Sequence, residues 1–384
     1  MLRTICLRLA LVCLALIFFT MPAHAKTILY VPMDDRPVNY NYPADTVTAA
    51  GIQIIMPPAE FVGGRGREGL PDKVWEWTLD NASRADALVL SADALLYGGL
   101  VDSRTHGHGK YSLEWRAMGF EMLKKARPDT PIYLFSTVMR SPVASGGFLE
   151  PYYYRQYGND IYKYMALQEK LELEGLSAEE SKHQKQLLKK IPPEVIGDWL
   201  DRREKNLKNN LKFVDLARNK TLEYFLLGRD DTSYYSRSHK ETRVIKEAAK
   251  DLTTDSFCTF PGADQLGMIM LARAYNNLNN NTPLVYVYYA PGQGDATVPR
   301  YEDQKFGTTV TDHIIVAGGQ LTTNQDKATM ELAVNTPLIP ITEEAEVVEN
   351  YPIVTDYTRQ FVSRIETAVK KGKISPAVFR IKRF

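Results

Sequence analysis

The sequence predicts an α/β fold, and three observations carry that expectation. Short apolar runs rich in β-formers alternate with amphipathic helical segments along almost the whole chain, which is the order of parallel βαβ units. Several runs end abruptly in acids: 27–31 before Asp34-Asp35, 85–91 before Asp93, 223–227 before Asp230-Asp231, and 256–260 before Asp264. In α/β folds ligands bind where loops converge at the C-terminal ends of strands. With about nine such runs, a (β/α)-barrel-like architecture fits best, and two doubly wound domains are the alternative.

Each element has a local reason. The residues Thr27-Ile28-Leu29-Tyr30-Val31 read as a buried strand. A helix over 41–50 stops at Gly51, and a strand over 52–56 is closed by Pro57-Pro58. The stretch 60–69 carries four glycines with Arg65 and Arg67, and reads as a mobile loop. Helix 71–82 places Trp75, Leu79 and Ala82 on one face. Strand 85–91 leaves through a long exit that holds Asp93, Tyr97, Gly98-Gly99 and Arg104. Helix 113–126 and strand 132–136 follow, the latter leaving through Arg140.

Between about 151 and 220 the chain is charged, periodic and nearly free of β runs. Leu167, Leu171 and Leu173 mark one helix, Leu187, Leu188 and Ile191 a second, and Trp199, Leu207, Leu211, Val214 and Leu216 a third. This predicts a helical insertion packed over the main domain. Strands are then expected at 223–227, 256–260, 284–289, 313–317 and 330–334, with helices at 240–251, 266–278 and 310–316. The last helix overlaps a strand reading. The α/β domain is expected to span 26–342, with a helical tail at 343–384 whose periodic apolar residues are Phe361, Ile365 and Val369.

The first 25 residues stand outside this pattern. Arg3 and Arg8 precede an apolar run over 9–19, and Ala23-His24-Ala25 offers a small-residue cleavage point before Lys26. That is the pattern of a secretory signal peptide, too short for a spanning helix. The expected protein is exported, periplasmic or extracellular, with no transmembrane segment after cleavage. Its charge is then balanced: 45 basic residues, once Arg3 and Arg8 leave the 47, against 46 acidic. No global field draws it to nucleic acid. Cys258 is the one cysteine outside the signal, so no internal disulfide is expected and the thiol reads as a small core group.

The chemistry lies at the strand ends. Asp34, Asp35, Asp230 and Asp231 are the candidate catalytic carboxylates. Two acids with different surroundings can serve as one acid and one base. Arg36, Asn39, Asp93, Tyr97, Arg104, Arg140, His239, Glu241 and Asp264 are candidate substrate-binding residues, although Asp264 is equally well placed as the N-cap of the helix over 266–278. His106-Gly107-His108 reads as a solvated loop. The sequence holds no His-Glu-x-x-His, no Gly-x-Ser-x-Gly and no phosphate loop. No cofactor is required on this reading; the alternative is a hard cation, Mg²⁺ or Ca²⁺, on the same acids.

Four motifs resemble the DUF4127 family, a bacterial family of unknown function. They are Pro-Met-Asp-Asp-Arg-Pro-Val-Asn over 32–39, Leu-Leu-Tyr-Gly-Gly-Leu-Val-Asp-Ser-Arg over 95–104, Pro-Gly-Ala-Asp over 261–264 and Val-Asn-Thr-Pro over 334–337. They occur in order across nearly the whole chain after the signal. The resemblance implies a longer chain with a Tyr-Ala-Gly-Trp-Asn-like segment near its C-terminus, where this one ends in Phe379-Arg380-Ile381-Lys382-Arg383-Phe384.

Acids at strand ends, arginines, tyrosines and export together point to a hydrolase resembling glycoside hydrolases, which need two carboxyls flanking one bond. Its partner would be a glycan or another small-molecule substrate. The alternatives are a Mg²⁺- or Ca²⁺-dependent hydrolase of an ester, amide or phosphate, and an envelope protein that binds glycan without turnover. The sequence sets no oligomeric state.

Overall fold

The computed structural model describes residues 26–143, 148–230, 232–290, 292, 294–299, 302–336 and 356–372. Six strands form one parallel sheet: β1 (Thr27–Val31), β2 (Gln53–Ile55), β3 (Ala87–Ser91), β4 (Ile132–Val138), β5 (Tyr224–Arg229) and β6 (Phe257–Pro261). Their order is β2-β1-β3-β4-β5-β6, and every pairing is parallel. The sheet is open, with β2 and β6 at its edges. This corrects the barrel-like expectation in favour of the doubly wound alternative. The chain steps outward from β1 to β2, then returns past β1 to β3. A closed barrel instead advances around its ring from strand to strand.

The reversal puts helices on both faces. Alternate strand residues face alternate layers: Leu29, Leu88, Leu134 and Phe225 enter one core, and Ile28, Val89, Tyr133 and Leu226 the other. Burial on both sides is why these strands read as continuous apolar runs. Helix α1 (Asn41–Ala49) lies on the second face. Helix α2 (Pro71–Asn81) lies on the first, entered by Pro71 at a helical position that needs no N–H bond. Two short helices, α3 (Ala92–Leu96) and α4 (Leu100–Thr105), follow β3, and α5 (Lys110–Ala126) then packs Leu113, Ala117, Phe120 and Leu123 into the first core.

The region expected as an insertion is three helices: α6 (Tyr154–Leu173), α7 (Ala178–Lys190) and α8 (Pro193–Arg218). Helix α7 opens with a capping box between Ser177 and Glu180. Tyr154, Ile161, Met165, Ile191, Val195 and Trp199 form a separate small core. The second half of α8 does not belong to it. Phe213, Val214, Leu216 and Ala217 sit in the main core, so this half is the crossover helix that covers β4 and β5. Helix α9 (Arg237–Ala248) continues the same face, and α10 (Leu266–Leu278) returns across the other face over β3 and β4 to α1.

A second parallel sheet has the order β8-β7-β9, from β7 (Leu284–Tyr289), β8 (Gln320–Leu321) and β9 (Met330–Val334). Helix α11 (Phe306–Val316) packs Phe306, Val310 and Ile314 on it. The expected strand over 313–317 is therefore the end of a helix. Its β-branched residues bury a stripe at helical spacing, and tertiary burial outweighs their strand propensity. The His313 ring stacks on Phe260 of β6, with centroids 4.2 Å apart, so α11 also covers the sheet edge. Helix α12 (Asp356–Lys370) lays Phe361 and Ile365 on the other side of the small sheet, whereas Val369 stays exposed.

Candidate active site at the strand ends

The loop after β1 makes a clasp. Asp34 is 6% exposed and accepts from Arg36 Nε (2.9 Å), Arg36 Nη2 (2.8 Å), the Arg36 backbone N–H (3.2 Å) and Asn39 Nδ2 (2.8 Å). The same guanidinium donates to Asp264 at 2.6 and 3.2 Å. Strands β1 and β6 are far apart in the sheet, so α10 must bring Asp264 back. It does so at Gly267, where a Cβ would stand 2.2 Å from the Tyr30 hydroxyl. Asp264 does not cap α10. Gln265 holds the cap position with no side-chain cap bond.

Asp34 and Asp35 part company. Asp35 turns to Arg67 (2.8 Å) on the glycine-rich loop. That loop, expected to be mobile, is tied down by main-chain bonds from Asp35 N–H to Gly63 and from Gly63 N–H to Gly98. A Cβ on Gly69 would meet the Gly98 carbonyl oxygen at 2.1 Å, so close approach requires glycine there. The Gly69 N–H donates to Asp102 (2.9 Å), a buried carboxyl that desolvation pushes up to about 6.

A second cluster gathers at the ends of β3, β4 and β5. Ser91 caps α3 through the Ala94 N–H (3.2 Å), and this turn carries Asp93 inward to 1% exposure. Its Oδ1 accepts from Thr137 on β4 (3.1 Å), and its Oδ2 has no hydrogen-bond partner among the described residues. Burial pushes the Asp93 carboxyl up to about 7; Thr137 opposes this and the nearby Asp230 charge adds to it. Arg104, 4% exposed on α4, is salt-bridged to Asp230, just beyond β5. It also lies 3.8 Å from Glu150, which accepts from Arg140 Nε at 2.6 Å. Glu150 is 4% exposed, burial raises its pKa, and its Oε2 is unpartnered among the described residues, as is Arg104 Nε.

The structure thus joins Asp93, Arg104, Arg140 and Asp230 in one cluster and places Arg36, Asn39, Asp34 and Asp264 in the clasp. Asp231 lies outside the described residues. Tyr97 is no surface group: its hydroxyl accepts from Asn209 (2.9 Å) and its ring stacks on His106. His106 is itself buried, not solvated; it bonds Asn206 (2.9 Å), and burial lowers it to about 4. His239 bonds Glu169 (2.7 Å) between α9 and α6. Glu241 holds Arg203 (2.7 Å), which donates to the carbonyls of Met139 and Arg140. Glu241 thus braces the β4 exit from behind through Arg203, while His239 ties α9 to α6. Glu150 and Asp102 went unread because neither directly follows a strand-like run.

Mg²⁺ and Ca²⁺ draw about six or more oxygen ligands. Asp34, Asp230 and Glu150 each already face a guanidinium, and no group of three His, Cys, Asp or Glu is arranged to hold an ion among the described residues. A hard cation fits this donor set poorly.

A family model described as a protein of unknown function, DUF4127, matches residues 28–378. The chain belongs to the DUF4127 family. No curated protein and no solved structure matches it. The DUF4127 motifs map onto the strand ends. Residues 34–39 build the clasp, 95–104 carry Asp102 and Arg104, and 261–264 supply Asp264. Val334 ends β9, and Pro337 lies outside the described residues. No helix among the described residues is long and apolar enough to cross a membrane.

Proposed function

We propose that this DUF4127 chain is an exported hydrolase of glycosidic bonds, with the cluster at the ends of β3, β4 and β5 as its reaction site. One observation carries the reading. A carboxyl that burial holds up to about 7 shares a cluster with a second carboxyl salt-bridged to Arg104. Two carboxyls in unlike surroundings are what acid and base roles require. Asp230, with a side chain 14% exposed, is the carboxylate that meets substrate as base or nucleophile. Asp93 holds the proton for the leaving oxygen on its unpartnered Oδ2. It is 1% exposed, so on this reading Arg104 on α4 and the segment bearing Glu150 must move aside for substrate. Arg104 orients Asp230, and Arg140 holds Glu150 beside Arg104.

The test is release of reducing ends from cell-wall polysaccharides and aryl glycosides by the secreted protein. Turnover that disappears in Asp230→Asn, with thermal melting unchanged, is expected. A folded wild-type protein inactive on the whole panel overturns the reading, and glycan binding without turnover would make the protein a lectin-like envelope component. Export is checked separately: N-terminal sequencing of the secreted form is expected to begin at Lys26.

A further inference from the structure

Outside the strand-end site, α5 and the start of α2 border an open, shallow recess of about 460 Å³ lined by Asp72, Tyr111, Ser112, Trp115 and Arg116. Tyr111 and Trp115 stand one turn apart on α5 and are 85% and 66% exposed. The other three tryptophans turn inward: Trp75 and Trp199 are 7% and 0% exposed, and Trp77 is half-buried against the main core. Arg116, 8% exposed, forms the floor. Its Nε and Nη2 donate to the two Asp72 oxygens at 2.8 and 3.1 Å, and its Nη1 donates to the Leu96 carbonyl at 2.7 Å. The hydrogen bond from Arg116 lowers the Asp72 pKa and fixes the carboxylate's plane, while the Asp72 side chain itself is 79% exposed.

We propose that this recess is a subsite for an uncharged sugar unit of a glycan chain. The ion pair cancels its own charge, so the recess has no pull on a charged ligand. Two solvent-facing rings offer flat apolar surface for the C–H face of a pyranose. An oriented carboxylate and the Ser112 hydroxyl take the hydroxyl groups at its edge. An acyl chain or an apolar protein face would leave the carboxylate desolvated and poorly paired, which costs binding energy. The recess also shares a connection with the reaction site. The Leu96 carbonyl that anchors Arg116 ends α3, and the same segment runs on into α4 with Arg104. The ligand class rests on the glycosidic reading, but binding here is measured without turnover.

The probes are hexasaccharides of β-1,4-linked glucose, β-1,4-linked N-acetylglucosamine and α-1,4-linked glucose, titrated against intrinsic tryptophan fluorescence of the full chain. At least one is expected to bind and to shift the emission to shorter wavelength. Trp115→Ala should weaken that affinity about tenfold and Tyr111→Ala by less, in line with the loss of one aromatic stacking contact. The titrations are repeated in the Asp230→Asn background, where turnover is removed; loss of affinity on adding Trp115→Ala to that background is expected, which separates failure here from failure at the reaction site. Trp115→Phe, which keeps a ring, should retain most of the affinity by calorimetry. Absence of binding for all three probes at millimolar concentration overturns the proposal. So does affinity equal in wild type and both alanine variants. Wild-type self-association that Trp115→Ala abolishes would assign the platform to a second copy of the chain and also overturn it.

Discussion

At the end of β1, Asp34 takes four hydrogen bonds from Arg36 and Asn39, whereas at the end of β3 Asp93 keeps one oxygen without a partner among the described residues. Both are buried carboxyls on the same rim. In the first region the acid's bonding capacity is spent on holding two loops together, because Arg36 also grips Asp264. In the second, Asp93 Oδ2, Arg104 Nε and Glu150 Oε2 have no hydrogen-bond partner among the described residues. Buried polar groups normally find partners, since desolvation without a bond costs about 1–3 kcal/mol. A clasp and the proposed reaction site are thus built from the same residue types. The satisfaction of their atoms separates them.

The largest expected effect tests that separation. Asp230→Asn should lower kcat/KM on a cleaved glycan by about 10²–10⁴-fold, while Asp264→Asn in the clasp should lower it less than about tenfold. Equal losses from both would make the two regions one site.

Stability should show the opposite ranking. Arg36→Ala leaves Asp34 buried without its main partner and should cost about 2–3 kcal/mol in urea unfolding. The guanidinium is 42% exposed, which keeps the cost below that of a fully buried pair. Asp264→Asn should cost less, because Arg36 keeps its bonds to Asp34. An Arg36→Ala protein as stable as wild type would show that Asp34 is solvated and the clasp is not structural.

The third test uses pH. In the folded state Asp93 holds its proton up to about 7, against an ordinary carboxylate value of 3.8. Between those values the native state binds a proton that the unfolded state has lost, so this group makes stability fall as pH rises, by about 1.4 kcal/mol per unit at most. Asp102, raised to about 6, adds the same sign over a shorter window. His106 and His313, both lowered to about 4 by burial, act oppositely, and their contribution rises with pH until about 6.5. The difference between Asp93→Asn and wild type removes the common terms. The variant should gain in melting temperature relative to wild type from pH 4 to pH 7, and a flat difference would place Asp93 in solvent.

The smallest effect belongs to Asp35. Its partner Arg67 is 40% exposed, so Arg67→Ala should change stability by no more than about 1 kcal/mol. A larger loss would mean that the glycine-rich loop is held by this pair rather than by its main-chain bonds to Asp35 and Gly98.

Much of the fold was legible because its causes are local. Strands buried on both faces must be continuous apolar runs, and the runs near 27–31, 284–289 and 330–334 coincide with β1, β7 and β9. Helix 266–278 was legible from its own periodicity and its boundaries. The acids at the strand ends were legible for the same reason, since an apolar run that stops in aspartates marks its own end.

The rest depends on groups far apart in the chain. Arg36 meets Asp264 across 228 positions, and Arg104 is opposite Asp230 across 126. No local period encodes such meetings. They follow from the strand order, which depends on which face each crossover helix covers. The same cause gave half of α8 to the main core, turned 313–317 into helix over β6, and brought Glu150 beside Arg104. Local patterning was enough to specify an α/β chain with carboxylates at its strand ends. Packing decided which of them are satisfied by a neighbour and which are left with capacity for a ligand.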